Sequence, residues 1–152
     1  MNDLLKFLHE QIPLTRSLGL EIVTIDERGA RIRAPLGPNH NHLGGAFGGS
    51  LATMMILSGY IWLYDALLKN NHQAHVILFK EESEYLLPVN TDIEVLAITP
   101  TDIEWRKFEG SFLRKGTARI VIHSEIRTES GSLSATFKGE FVARKAQVVE
   151  II

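Results

Sequence analysis

The feature that most constrains this chain is a long run without charge. No charged residue occurs between Leu43 and Tyr64, and over residues 47–69 apolar side chains occupy nearly every side of a helical pattern. A helix that is apolar all round must be enclosed by protein or by lipid. The run is long enough for a membrane span, which needs roughly 20 apolar residues, but several glycines, two serines and a threonine interrupt it. We therefore predict a buried core helix and no membrane span.

Strand patterns flank this helix on both sides. Alternation of apolar and polar residues, which is typical of half-buried strands, predicts two strands before the helix and four after it, over residues 18–26, 30–34, 74–87, 91–99, 117–128 and 133–143. A short amphipathic helix precedes them and ends at Pro13. Residues 102–116 look less regular than their neighbours and are interpreted as a loop. The sequence thus predicts one α+β domain over residues 1–152, with an antiparallel sheet wrapped around a long central helix.

The predicted sheet is too small to bury both sides of the central helix by itself. Pairing with a second copy of the chain is the natural way to complete such a core, because closed symmetric oligomers are the commonest assemblies of proteins of this kind. We therefore predict a homodimer or a dimer of dimers.

The composition excludes several classes of function. The chain has no cysteine, which rules out thiolate catalysis, disulfides and cysteine-ligated metal centres. Its formal net charge is -2 at pH 7, and this balance gives no reason to expect nucleic-acid binding. The amino terminus carries Asp3 and Glu10 among its apolar residues and lacks a basic leader, so it does not resemble a secretory signal. We expect a cytoplasmic protein that binds no nucleic acid.

Residues 39–50, a polar loop that leads into the glycine-rich start of the central helix, are the predicted working site. The first N–H groups of a helix have no internal partner and carry the positive end of the helix dipole. Glycines there let a ligand approach the backbone closely, and such N–H groups stabilise an oxyanion that forms on a carbonyl. The alternative reading is a glycine-rich turn that only admits a tightly packed helix, and the glycines alone do not separate the two.

Other motifs fit this segment less well. Residues 44–50 have the spacing of a phosphate-binding loop but lack the lysine before Ser50. The string from Gly48 to Ala52 is one residue from a nucleophile elbow, but the order of strands and helices is not that of an α/β-hydrolase. His40 and His42 have the spacing of a metal pair, but no third ligand stands nearby, so loop solvation or substrate contact is the preferred reading.

The order of elements and the loop together resemble the hotdog fold of acyl-thioester enzymes. The string Asn41-x-x-Gly44-x-x-Phe47-Gly48-Gly49 is similar to the Asn-x-x-Gly-x-x-His-Gly-Gly signature of phenylacetyl-CoA-type thioesterases. Residues 34–39 and 45–51 resemble more closely a narrower hotdog family, the thioesterase domain often found carboxy-terminal to an acetyltransferase in bacteria. The resemblance covers residues 12–143, and the chain is too short to hold an acetyltransferase as well.

The resemblance implies roles for individual residues of this chain. Asn41 takes the place of the residue that polarises the thioester or positions water, and Gly48 and Gly49 supply the oxyanion-binding N–H groups. Ser50 caps the helix or touches the substrate. His42 and Phe47 are expected to contact the substrate, and the resemblance implies no cofactor.

Two departures from the family pattern concern the chemistry. Phe47 stands where the signature has a histidine, and the carboxylate that many hotdog thioesterases carry two turns into the helix would fall near Ile56, which leaves only Ser58 nearby to hold a water. Hydrolysis needs a general base or a nucleophile, and Asn41 is neither. Glu81, Glu82 and Glu84 are candidate bases across a dimer interface, although each is also explained as solvated surface charge.

Three functions therefore stay open on the sequence. The leading one is hydrolysis of an acyl-CoA or acyl-carrier-protein thioester. The second is decarboxylation of a malonyl thioester to prime fatty-acid synthesis, which needs enolate stabilisation but no initial base, and the third is a non-catalytic acyl-binding module. The basic pairs Arg106-Lys107 and Arg114-Lys115 are candidate contacts for the carrier, with simple solvation as the alternative.

Overall fold

The computed structural model describes residues 1–147, so the last five residues of the predicted domain lie outside the described part. The elements are α1 (Asn2–Gln11), α2 (Leu14–Leu18), β1 (Glu21–Asp26), β2 (Gly29–Ala34), a 3-10 turn (Gly37–Asn39), α3 (Gly48–Lys69), β3 (Ala74–Tyr85), β4 (Ile93–Ile98), α4 (Asp102–Lys115), β5 (Thr117–Arg127) and β6 (Leu133–Lys145). The six predicted strands and the long helix are present, with shorter ends in most cases.

The strands form one six-stranded sheet in the order β1-β2-β4-β5-β6-β3, and every neighbouring pair is antiparallel. Alternate residues of β2, β4, β5 and β6 are buried against α3, as expected for strands that cover a core on one face. The architecture confirms the predicted α+β class and the hotdog arrangement of a sheet wrapped around a central helix.

The central helix is enclosed from more than one side. Its buried side chains include Met54, Met55, Ile61 and Leu63, all at 0% exposure. Its length and apolar composition would also suit a membrane span, but the sheet packs against it and 56% of the residues in its most apolar stretch are buried within the fold. These are the properties of the core helix that the charge-free run predicts.

The interpretation of residues 102–116 as a loop is wrong, because they form helix α4. Trp105, Phe108 and Phe112 lie on one face of this helix, and Phe108 and Phe112 are buried. Trp105 meets Trp62 of α3 edge to face, with ring centroids 5.9 Å apart, and the Trp62 Nε1–H donates to Thr99 at 3.1 Å. Helix α4 therefore covers a part of α3 that the sheet leaves open. The short helix α2 was also not predicted.

Helix α4 begins with a reciprocal cap, and its loss has an expected cost. The Glu104 N–H donates to the Thr101 hydroxyl, while the Glu104 carboxylate accepts from the Thr101 N–H. The Thr101 hydroxyl also donates to the Glu104 carboxylate. The bonds from the Thr101 N–H and hydroxyl hold the pKa of Glu104 below its ordinary value. We expect Thr101→Ala to lower the free energy of unfolding by about 1 kcal/mol at neutral pH.

The pH dependence of this effect follows from the sign of the shift. A carboxyl whose pKa is lowered by folding stabilises the fold above its unfolded pKa and loses that contribution as the pH falls through the folded value. Denaturant unfolding of both proteins at neutral pH and at about pH 3 should show the difference between them shrinking in acid. A difference that grows in acid would contradict the assigned cap.

Candidate functional site at the start of the central helix

Residues 40–46 fold back on themselves as a small hairpin in front of α3. His40 and Ala46 pair across it. The Asn41 N–H donates to the Gly45 carbonyl at 2.7 Å, and the Gly44 N–H donates to the Asn41 carbonyl at 3.1 Å. Gly44 lies at φ 83°, a left-handed conformation that glycine adopts without strain. The predicted polar loop is therefore an ordered turn.

Asn39 fixes this hairpin to the rest of the fold. Its side chain is buried, and its Nδ2 group donates to the Leu18 carbonyl at 2.9 Å and to the Pro35 carbonyl at 2.8 Å. Its own carbonyl accepts from the Phe47 N–H at 2.7 Å. Both amide hydrogens of Asn39 are thus used inside the protein, so Asn39 is an anchor and not a ligand contact.

The loop between β3 and β4 supports the hairpin from its other side. The Ala46 N–H donates to the Val89 carbonyl at 2.7 Å. A Cβ added at Gly45 would lie 2.9 Å from Asn90 Oδ1 and 3.3 Å from that same carbonyl, so a side chain there would have to displace Asn90. Local pattern does not predict this partner, because the contact joins segments more than forty residues apart along the chain.

The side chain of Asn41 is half-buried and presents a donor. Its Oδ1 accepts the Leu43 N–H at 2.8 Å, as in an Asx turn. Its Nδ2 group has no hydrogen-bond partner among the described residues 1–147. Asn41 can therefore donate to a ligand oxygen such as a thioester carbonyl, whereas its acceptor is already occupied.

The start of α3 adds backbone donors to the same segment of the chain. Phe47 is the N-cap residue, and no side chain caps the helix, so the predicted capping role of Ser50 is wrong. The N–H groups of Gly48, Gly49 and Ser50 lie in the first turn, where a helix offers no internal acceptor, and none has a partner within the described chain. They point out of the helix with the positive end of its dipole.

The two glycines of the first turn differ in their surroundings. A Cβ at Gly49 would lie 2.4 Å from the Phe47 ring, which covers that position. A Cβ at Gly48 would meet nothing within 4 Å. Gly48 is therefore the open side from which a ligand can reach the free N–H groups.

Exposed side chains surround this opening. Leu43 at the tip of the hairpin is 81% exposed and Phe47 is 57% exposed, and His42 is also exposed. The Nδ1 atom of His40 lies at hydrogen-bond distance, 2.9 Å, from the Asn41 carbonyl oxygen. The predicted substrate contacts His42 and Phe47 thus lie beside the donors, together with Leu43, which the sequence reasoning had not selected.

Ser58 does not reach this opening. It is 0% exposed, its Oγ donates to the Met55 carbonyl at 2.7 Å, and it shares a hydrogen bond of 2.7 Å with Ser124 of β5. The pair is satisfied inside the core and fixes α3 to the sheet. Ser58, which the sequence suggested as a residue that holds a water or contacts substrate, is therefore not exposed to the opening.

The predicted carrier contacts Arg114 and Lys115 lie at the opposite end of the subunit. They end α4, and Arg114 lines a depression together with Asn71 and His72, which follow α3. Because α3 has 22 residues and a helix rises 1.5 Å per residue, about 33 Å separates this end from the hairpin. Within one subunit these cations and Asn41 are too far apart to share a small ligand.

The hairpin and first turn of α3 form no hydrogen bond or ion pair with a carboxylate in the described chain. The described residues also contain no group of three or more His, Asp or Glu placed to hold a metal ion. What the arrangement offers is a set of N–H donors with an apolar rim, which suits stabilisation of negative charge on a carbonyl oxygen.

Comparison with known families shows which family the chain belongs to. Residues 1–145 match the family model described as "Putative thioesterase (yiiD_Cterm)". The chain belongs to this family, as the resemblance of residues 34–39 and 45–51 had indicated. No functionally curated protein matches the sequence significantly.

Solved structures support the same class. A protein of unknown function from Chlorobaculum tepidum is 27% identical with a TM-score of 0.90, over 95% of this chain and 94% of that one. A "putative thioesterase" from Shewanella oneidensis is 26% identical with a TM-score of 0.83, over 94% and 96% of the two chains. A "probable thioesterase" from Pseudomonas aeruginosa, 22% identical with a TM-score of 0.77 over 96% and 97%, shares the fold. The family and the fold support a thioesterase-type function.

Proposed function

We propose that this protein hydrolyses acyl-CoA or acyl-carrier-protein thioesters. The observation that carries the proposal is the set of free donors in the segment 41–50: the N–H groups of Gly48, Gly49 and Ser50 and the Nδ2 group of Asn41 have no hydrogen-bond partner among the described residues. Water adds to the thioester carbon, the negative charge on the carbonyl oxygen meets these donors, and the carbon–sulfur bond then breaks to release a thiol and a carboxylic acid. Leu43 and Phe47 contact the acyl group beside the opening.

The absence of a carboxylate contact in the described hairpin favours a second candidate, decarboxylation of a malonyl thioester. Loss of carbon dioxide leaves an enolate on the thioester oxygen, which the same donors stabilise, and a proton then adds to carbon. This reaction requires no base at its start, in contrast to hydrolysis.

Product analysis separates these candidates. The protein should be incubated with acetyl, long-chain acyl and malonyl thioesters of CoA and of a carrier protein. Free thiol is measured with a thiol reagent, and carbon dioxide is measured in the same reactions. Free thiol from unsubstituted acyl thioesters is the expected result. Carbon dioxide with an intact acetyl thioester would replace hydrolysis by decarboxylation, and ligand binding without any product would leave only an acyl-binding module.

We also propose that the active assembly contains a dimer formed through β3. This strand has 12 residues and pairs only with β6 among the described strands, so one long edge is open for another strand. When two β3 edges pair antiparallel, the uncharged half of each strand lies opposite the acidic half of the other. The uncharged half is residues 76–79 and the acidic half is residues 81–84, so like charges do not face each other. It also brings the Arg114–Lys115 end of one subunit beside the hairpin end of its partner.

A further inference from the structure

Two neighbouring depressions at the carboxy-terminal end of α4 are lined by cations without a carboxylate. One contains Arg114 and Lys145, and the other contains Lys115, Arg119 and Arg144. No aspartate or glutamate lines either depression. Of these five cations only Arg119 has an ion-pair partner among the described residues, Glu140 at 3.6 Å. On a chain whose formal net charge is -2, this is a local excess of positive charge, and it lies about one helix length from the hairpin.

The shape of this surface fits a protein more closely than a free phosphate. Its cations come from α4, β5 and β6, and they surround apolar side chains of β3 at the surface. Phe79 is 57% exposed and carries the Arg119 guanidinium 4.3 Å above its ring centre, and Ile77 beside it is 49% exposed. Apolar side chains within a charged rim are typical of protein interfaces, whereas none of the cations is buried as a built phosphate site would require.

An edge-to-edge dimer leaves this surface accessible. Ile77 pairs with Val142 on the outer face of the sheet, the face that α3 does not cover. Pairing through the β3 backbone extends the sheet and does not cover that face. In the antiparallel arrangement the surface stands near the hairpin of the partner subunit, so an arm attached to a protein bound here leads towards that site.

We propose that the basic surface formed by Lys115, Arg119 and Arg144, with Ile77 and Phe79, binds an acidic carrier protein that presents the acyl thioester. The proposal rests on the function proposed above and names its partner. Opposite charges on the two proteins accelerate their encounter and set their relative orientation. Ile77 and Phe79 supply the apolar contact between the two proteins.

The test uses Lys115→Glu/Arg144→Glu in the full chain, since neither side chain has an ion-pair or hydrogen-bond partner among residues 1–147. The matched control is Arg28→Glu, an exposed charge reversal at the opposite edge of the sheet. Binding of a holo carrier protein is measured by titration, and kcat/KM is measured with the same acyl group on the carrier protein and on CoA.

The expected result is a loss of about tenfold or more in carrier-protein affinity, and in the ratio of kcat/KM between carrier-protein and CoA substrates. The control keeps both values. Raising the salt concentration should weaken the wild-type complex and reduce the difference between wild type and variant, because exposed charges are screened.

Three other outcomes would overturn the proposal. An equal loss on CoA and carrier-protein substrates would assign the surface to a phosphate. A shift from dimer to monomer in sedimentation, compared with wild type, would assign it to a second copy of the chain. Unchanged carrier-protein binding in the variant would leave the surface without this partner, while thioester hydrolysis by the wild type would still stand. Failure of the wild type to hydrolyse any thioester would remove the proposed function, and titration would still test the surface.

Discussion

Asn41→Asp is expected to lower kcat/KM for acyl thioesters by about a hundredfold or more, the usual effect of removing one oxyanion donor. The substitution separates the two roles of the side chain. A carboxylate keeps the oxygen that accepts the Leu43 N–H at 2.8 Å, so the turn is retained, but it loses the Nδ2 donor and places negative charge where the carbonyl oxygen develops its own. Steady-state kinetics on the preferred thioester measures the loss.

Two comparisons make this result specific. Asn70→Asp makes the same replacement of an amide by a carboxylate at the far end of α3, where Asn70 Nδ2 donates to the Ala66 carbonyl. It should leave kcat/KM unchanged. Asn41→Ala removes both the donor and the turn acceptor and should be at least as impaired as Asn41→Asp, with a lower unfolding midpoint. Full activity of Asn41→Asp would show that this asparagine does not donate to the reacting oxygen.

Gly48→Ala is expected to leave the fold intact while it lowers kcat/KM by about a hundredfold, the loss that accompanies displacement of a reacting group by about 1 Å. A Cβ at this position meets no protein atom within 4 Å, so it projects into the space through which a thioester reaches the helix N–H groups. Thermal unfolding should show equal stability or a gain of up to about 1 kcal/mol, since alanine restricts the unfolded chain.

The control for this prediction is Gly37→Ala. Gly37 also has nothing within 4 Å of an added Cβ, but it lies in the 3-10 turn before Asn39 and not at the start of α3. It should retain activity. If Gly48→Ala is as active as Gly37→Ala, the ligand does not approach the helix from this side and the proposed position of the thioester is wrong.

Local pattern accounts for most of what the sequence predicted. The helix of residues 48–69 and the strands β5 and β6 were predicted because their side-chain periodicity follows from backbone geometry and from burial on one face. The segment 39–50 was selected because glycines at a helix start allow a ligand to approach free N–H groups, and because residues 34–39 and 45–51 resemble a family that residues 1–145 then matched.

The errors came from features that depend on distant partners. Helix α4 carries few buried residues, and its aromatic face packs against Trp62 of α3 and other distant partners, so residues 102–116 looked irregular, although the spacing of Thr101 and Glu104 is a local signal for a helix start. The role of Ser58 depended on Ser124, which lies on another element and is 2.7 Å away in the core. Hydrogen-bond partners of this kind are set by the folded arrangement and not by spacing along the chain.

By itself, then, the sequence determined the α+β class, the buried central helix and the segment proposed as the site, because hydrophobic periodicity and glycine chemistry are local properties. The tertiary structure decided which groups of that segment are free to meet a ligand. It assigned Asn39 to the scaffold and Asn41 to the opening, left Gly48 accessible, and put Arg114 and Lys115 at the other end of the subunit. These outcomes depend on which groups the fold brings into contact and which it leaves without a partner, and the order of residues alone does not contain that information.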